Sequence, residues 1–350
     1  LQSRWLDFSK KALKAEPKKA ARSQMIICGL ATGFPLLIGL IEQQLSVAIL
    51  GALTGYLLTV YETPGPLRHR LAVTITTYGM LIASFFLGRL LQGDDAGFYL
   101  TLGAMAYWVG VQGGEGAEFE RATLFSTLLL IIAHSNTEMY PEMALLVFKY
   151  TLATFFFVLL SLWTHAQLSK KAHTEHTSLL NYLKKPLSSR LNVHLHAFSY
   201  MTIALIAAWL MGQVHAERGY WTVITVLLVM KPDRTESLFR SFQRFIGTLT
   251  GALTSAAFVY LIHWQIPLVA LISLSAFLVP WAVKKNYWLV SYFVSVMVIL
   301  LLEVPGIEHG NFHTPWLRLK ATAYGCLLGI GGVLISKLVS LLILQKTTSK

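Results

Sequence analysis

Apolar residues along this chain fall in long continuous runs, and polar residues cluster between them. A helix that crosses a bilayer needs about 20 apolar residues, or somewhat fewer where its ends reach toward the headgroups. With glycine, proline and charge clusters as punctuation, the pattern predicts about twelve such spans. Six lie near 23–41, 44–61, 71–91, 97–112, 122–134 and 142–163. Six more lie near 195–213, 220–231, 245–263, 266–283, 287–302 and 317–344. The fifth is short enough to be a half-helix. Membrane β-strands would alternate apolar and polar positions, which these runs do not. The predicted fold class is an all-α polytopic membrane protein.

Composition agrees. Of 350 residues, 55% are hydrophobic and only 13% are Asp, Glu, Lys or Arg, about half the charged share of a soluble domain. Mean hydropathy is +0.56. A folded surface in water needs more charge than this. Disordered, collagen-like and disulfide-scaffold classes are excluded by the same figures. Cys28 and Cys326 sit in apolar runs, fit no metal spacing and read as packing residues. No cofactor or metal site is implied.

The 29 Lys and Arg against 17 Asp and Glu give a net charge of +12. In a soluble chain this surplus would suggest nucleic acid. Here it reads instead as cytoplasmic loop charge and attraction for anions. With the N-terminus placed inside, the inside segments hold 23 of the 29 basic residues. The outside loops carry Asp94, Asp95, Glu138, Glu217 and Glu308. Every turn then obeys the positive-inside rule, so both termini are predicted cytoplasmic in a bacterial inner membrane. Residues 1–22 are too polar to span. They form either a basic interfacial helix, with Trp5, Leu6, Phe8 and Leu13 toward lipid, or a mobile tail. No small-residue cleavage site follows the first apolar run, so no signal peptide is expected.

One offset relates the two halves. Pro141 and Pro315 are 174 apart, and the same shift pairs Tyr150 with Tyr324, Arg70 with Arg244, Thr74 with Thr248, Thr76 with Thr250, and Glu62 with Glu236. This register predicts two six-helix repeats, 23–163 and 194–345. A polar linker, 164–193, joins them and a tail, 346–350, follows. An even number of spans per unit makes the repeats parallel, with a substrate path expected at their interface. Glycine pairs four apart (Gly29 and Gly33, Gly51 and Gly55, Gly247 and Gly251, Gly325 and Gly329) mark close helix contacts.

The most unusual segment is Gly219–Ala256. Lys231-Pro232 stops a short span, because proline cannot continue the hydrogen-bond ladder. Asp233 and Thr235 can cap the next helix, with Glu236 in its first turn. Arg240 and Arg244 then share a face. Lys231, Arg234, Arg240 and Arg244 are expected near the cytoplasmic mouth, and Arg68, His69 and Arg70 make a poorer first-half version. Guanidinium forks suit carboxylates, since the planar group binds both oxygens. The alternative is that these residues anchor topology at headgroups.

Tyr220-Trp221-Thr222-Val223-Ile224-Thr225, then Lys231-Pro232, then Arg244-Phe245-Ile246-Gly247-Thr248-Leu249-Thr250-Gly251 resembles the pattern of the aromatic acid exporter, or fusaric acid resistance, family. Plant aluminium-activated malate transporters are similar at greater distance. The six-span units extend the resemblance over most of the chain. It implies export of small organic anions, aromatic carboxylates among them, and for some members a periplasmic adaptor. Many family exporters carry a large cytoplasmic domain where this chain has a short linker.

A second set of cations lies within the spans. Lys149 is about two turns inside the sixth, and Arg318 and Lys320 open the twelfth, its repeat partner. An ionised group at mid-bilayer costs about 2.5–3.5 kcal/mol on insertion scales, so it faces a cavity or a partner. These three could line an anion path, or reach for the outer headgroups. Tyr220 and Trp221 could stack an aromatic substrate, although their position favours an outer aromatic belt. His165, His173 and His176 in the linker, with His194 and His196 after it, read as solvated. No phosphate-binding loop, dinucleotide turn or hydrolase elbow appears, so no enzyme and no ATP-driven step is expected.

An anion leaving the cell runs down the membrane potential, worth about 2.3 kcal/mol at 100 mV, a gradient of nearly fiftyfold. Proton coupling is needed only beyond that, and Glu62, Glu236 and His69 are its candidate carriers. The leading expectation is a secondary exporter of organic anions. A passive anion channel of the same fold comes next, then a scaffold or lipid-binding protein without transport. A homo-oligomer is compatible with each.

Overall fold

In the computed structural model, residues 12–14, 18–112, 117–135, 141–168, 191–309 and 313–348 are described. Every regular element among them is helical. In chain order these are α1 (Arg22–Ile41), α2 (Leu45–Thr59), α3 (Leu67–Leu90), α4 (Asp95–Gln112), α5 (Ala117–Ser135), α6 (Pro141–Leu168), α7 (Leu191–Gln213), α8 (Tyr220–Val229), α9 (Arg234–Leu261), α10 (Gln265–Lys285), α11 (Tyr287–Glu303) and α12 (His313–Thr348). A 3₁₀ segment, Val304–His309, follows α11.

Eight of these helices are long and apolar enough to cross a membrane: α1, α3, α6, α7, α9, α10, α11 and α12. The other four of the twelve expected spans do not reach that length and hydropathy, so twelve crossings are not confirmed. Helices α2 and α8 are apolar but shorter. The fifth predicted span, read as a possible half-helix over 122–134, is a helix of 19 residues. Its first turns carry Glu118, Glu120 and Arg121, which a hydropathy reading counts as loop although they are helical.

The chain divides into two compact units, and each draws on both halves of the sequence. The first comprises residues 1–79, 138–181 and 245–319, and the second residues 80–137, 182–244 and 320–350. In the first, α1 packs against α2, α6 and α10, and α10 against α11. Leu36, Tyr150, Leu268, Ile272 and Met297 are fully buried there. In the second, α7 packs against α4 and α8, and α4 against α5. Leu81, Phe85, Leu102, Leu130, Ile131 and Leu227 form its core.

Outward faces are apolar. On α1, Ile26, Leu30, Leu37 and Ile41 recur at helical spacing and are at least half exposed. Water would penalise such a stripe, whereas lipid tails match it. Inside, buried hydroxyls bond to the carbonyl one turn back on their own helix. Thr54 Oγ1 donates to Leu50 O, Thr154 Oγ1 to Tyr150 O and Ser255 Oγ to Gly251 O, each at 2.8 Å.

The glycine pairs lie at helix contacts. A Cβ at Gly55 would stand 2.1 Å from Ala31 O, and one at Gly247 2.3 Å from Trp288 O. Gly33 lies against Ser273, and Gly325 against Thr222 and Thr225. Part of the N-terminal stretch is held down within the first unit. Asn286 Nδ2 donates to Ala12 O (2.9 Å) and Lys14 O (2.8 Å), and Trp288 Nε1 to Leu13 O (3.3 Å). Ala12 is buried. Trp5, Leu6 and Phe8 lie outside the described residues, as do most of the linker, His173 and His176. His165 and His194, expected in or beside the linker, are helical and partnered. His165 Nδ1 is 3.4 Å from Arg70 Nη1, and His194 Nδ1 is 2.8 Å from Tyr107 OH.

Candidate functional site

In the second unit, α8 ends at Val229 and Met230 turns extended, because Pro232 cannot join a helix. Asp233 Oδ2 accepts the Glu236 N–H at 3.0 Å, so of the two predicted caps it is Asp233 that acts. Ser237 Oγ accepts the Lys231 N–H at 2.8 Å and lies 3.0 Å from the Lys231 carbonyl. This ties the loop to α9.

The loop cations are largely neutralised. Lys231 Nζ is 3.4 Å from Glu120 Oε1 at the start of α5, both half-buried. Arg240 Nε pairs with Glu236 Oε1 at 2.9 Å, one turn apart on α9. Burial, and then the Arg240 charge, pull the Lys231 ammonium below the ordinary lysine value, and Glu120 opposes the shift. Arg234 is half-buried.

Arg244 is buried more deeply than they are. It is 2% exposed, and its Nε and Nη2 have no hydrogen-bond partner among the described residues. It sits ten residues into α9, about 15 Å along the axis. Helix α12 passes beside this turn of α9. Cys326 Sγ contacts Ser241 O at 3.4 Å, one turn before Arg244, and Arg244 lies within electrostatic reach of that thiol. An isolated buried cation with unmade hydrogen bonds is costly, by several kcal/mol in effective terms. Its retention in so apolar a bundle makes it a candidate functional position.

Trp221 is buried beneath the Arg218 guanidinium, 5.4 Å from its ring centre, and Tyr220 is half-buried. Lys320, also of this unit, is exposed on α12.

In the first unit, Lys149 Nζ lies 2.8 Å from both Glu42 oxygens, and Tyr150 OH donates to Glu42 Oε2 at 2.7 Å. Glu42, in the turn between α1 and α2, is held below the usual carboxylate range by these two bonds, the lysine's first. Lys149 is exposed and Tyr150 buried. Arg318 is buried at 3% exposure. Glu62 pairs loosely with Lys284 at 3.8 Å. Arg68 is exposed, and His69 and Arg70 are half-buried.

The structure therefore brings together Lys231, Arg240 and Glu236 with a partner, Glu120, that sequence reasoning missed. It gives Lys149 an equally unforeseen partner in Glu42. These carboxylates are 111 and 107 residues from their lysines, and no local signal links them. Their rarity was a weak hint, since few acids lie near the spans.

Comparison with known proteins then bears on the stretch around Arg244. Residues 202–332 match the fusaric acid resistance protein-like family. The matched stretch runs from α7 into α12 and contains the whole Tyr220–Gly251 pattern. The first half of the chain lies outside it, so the wider resemblance expected from the sequence goes beyond the match. An uncharacterized protein of Escherichia coli (strain K12), YhfK, is 27% identical over 139 residues, 38% of this chain and 19% of that protein. An uncharacterized protein of Haemophilus influenzae is 25% identical over 116 residues, 32% of this chain and 16% of that one. The matched part thus spans less than a fifth of these curated relatives. No solved structure matches the chain. The apolar helices and the fusaric acid resistance-like stretch together indicate a multi-pass membrane protein.

Proposed function

We propose that this chain exports small organic anions, aromatic carboxylates among them, across a bacterial inner membrane by a potential-driven secondary mechanism. The observation that carries this reading is Arg244, a buried guanidinium with two unmade hydrogen bonds inside the fusaric acid resistance-like stretch. A fixed positive group in a low-dielectric setting lowers the barrier for a passing anion. Arg234, which makes no ion pair among the described residues, adds positive potential where the substrate enters, while Lys231 and Arg240 are paired. The candidate proton carriers Glu62 and Glu236 are each engaged in an ion pair, with Lys284 at 3.8 Å and with Arg240 at 2.9 Å. The membrane potential is therefore the driving force in this reading.

Two parallel six-helix repeats form the frame of the proposal. Shifting the first six helices by 174 overlays each on the helix six places later, with ends differing by a few residues. Helix partners follow the same rule. The pair α1 and α2 corresponds to α7 and α8, α1 and α10 to α7 and α4, α10 and α11 to α4 and α5, and α2 and α11 to α8 and α5.

The test is flux of labelled benzoate in proteoliposomes with a clamped potential and an imposed pH gradient. The expected result is flux that follows the potential and ignores the pH gradient. It should fall at least tenfold in Arg244→Ala at equal protein abundance. Flux that requires the pH gradient would replace the potential-driven mechanism with a proton-coupled one. Absence of any flux above empty vesicles would remove transport altogether.

A further inference from the structure

Many buried serine and threonine hydroxyls among the described residues bond back to their own helix. Among the described residues, five buried Ser or Thr hydroxyls have no partner: Ser126, Thr222, Ser241, Ser291 and Thr322. Three of the five belong to helices that α12 touches or to α12 itself. Thr222 is on α8, Ser241 on α9 and Thr322 on α12, and each is at most 2% exposed.

Helical geometry brings them to one place. On α12, Gly325 faces α8, since its Cβ would stand 2.5 Å from Thr225 Cβ and 2.8 Å from Thr222 O. Cys326 faces α9 through Ser241 O. Thr322 precedes these two by three and four residues. It therefore lies on the same side of α12, one turn nearer the N-terminus, between the two contact lines. Thr222 lacks its usual acceptor for a local reason. It sits in the first turn of α8, and the residue one turn back, Arg218, is outside the helix.

The free edge of Arg244 has a definite shape. Nε–H and Nη2–H point in parallel from one side of the guanidinium, and this is the fork that receives both oxygens of a carboxylate. One positive charge among neutral hydroxyls balances a monovalent anion. A phosphate dianion would leave a net charge buried.

We infer that Arg244 with the hydroxyls of Thr222, Ser241 and Thr322 forms a dehydrated binding site for one carboxylate group. The site exists in one half of the chain only. The 174-residue shift puts Ala48, Leu67 and Phe148 where these hydroxyls stand, and Arg70, the counterpart of Arg244, is half-exposed beside His165. The ligand's role as cargo rests on the proposed transport, but the site itself is a claim about equilibrium binding.

The experiment is calorimetric titration of the purified full chain in lipid nanodiscs with benzoate, with benzamide and inorganic phosphate in parallel. Benzoate is expected to bind at one per chain, benzamide and phosphate at least tenfold more weakly. Thr222→Val and Thr322→Val should each weaken benzoate at least tenfold, as loss of one hydrogen bond to a charged group does. Arg244→Lys keeps the charge without the fork and should weaken it about tenfold. Thermal unfolding of the valine variants without ligand provides the control. Removing an orphaned hydroxyl should leave stability equal or higher. Valine variants that bind benzoate like wild type would overturn the site, even if benzoate flux persists. Phosphate binding more tightly than benzoate would overturn the carboxylate assignment. Benzoate binding that depends on these residues, without flux, would sustain the site and remove the transport reading.

Discussion

Lys149 and Arg244 illustrate what decides the role of an intramembrane cation. Lys149 reaches Glu42 and is exposed, so its charge is compensated locally. Arg244 has no such acid among the described residues and is buried. The Glu42 pair titrates in a defined direction. A carboxyl depressed in the fold contributes stability above its unfolded value of about 4.3. That contribution is lost as pH falls from there through the folded value. Wild-type protein should therefore lose melting temperature on acidification over this window. Lys149→Met should start lower at neutral pH and lose less on the acid side. Identical acid limbs in the two proteins would dismiss the pair as a stabilising contact. At Lys231, Glu120→Gln leaves a half-buried ammonium without its acid. The expected cost is about 1–2 kcal/mol, between the values for exposed and buried pairs, read from chemical unfolding in detergent.

At the scale of the helix, close approach depends on absent side chains. Gly55 admits the backbone of α1, and the atoms that a Cβ would meet, Ala31 O and Ala31 C, belong to the main chain and cannot rotate away. Gly55→Ala should destabilise by about 1–3 kcal/mol, as overpacking does. At Gly79 on α3, an added Cβ would meet nothing within 4 Å. Gly79→Ala should be neutral or stabilise by up to about 1 kcal/mol through helix propensity. Equal effects at the two sites would mean that backbone entropy, and not contact, governs these glycines. Helix existence was legible in the sequence because lipid demands long apolar runs. The lengths of α5 and α6 were not. Polar residues such as Glu118, Glu120 and His165 continue these helices beyond the apolar core, held by contacts that hydropathy does not register.

For the whole molecule, the polar contacts join helix ends in a consistent way. Lys284 meets Glu62, Lys231 meets Glu120 and Arg70 meets His165, all ends predicted inside from the basic loops. Lys149 meets Glu42, and Gln92 donates to the carbonyls of Ala133 and His134, all ends predicted outside. Single cysteines in a background lacking Cys28 and Cys326 test this. Cysteines at Gln43 and Ala216 should react with an impermeant maleimide from the periplasmic side. Cysteines at Thr63 and Asp233 should react only after the membrane is permeabilised. Labelling of both sets from one side would refute the topology. The units also divide the helices in a way that no linear reading proposes, since each combines segments from both halves.

By itself, the order of residues determined a helical membrane protein, the approximate ends of its helices and the glycines at which they touch. These follow from solvent and sterics acting on neighbours along the chain. Tertiary structure decided which cations are neutralised and which keep unmade bonds, Arg244 among them, because Glu42 and Glu120 are brought to their lysines from over a hundred residues away. It also decided that Thr222, Ser241 and Thr322 gather where α8, α9 and α12 meet. Coulomb energy and hydrogen bonding depend on distance in space, and only the packed bundle sets that distance.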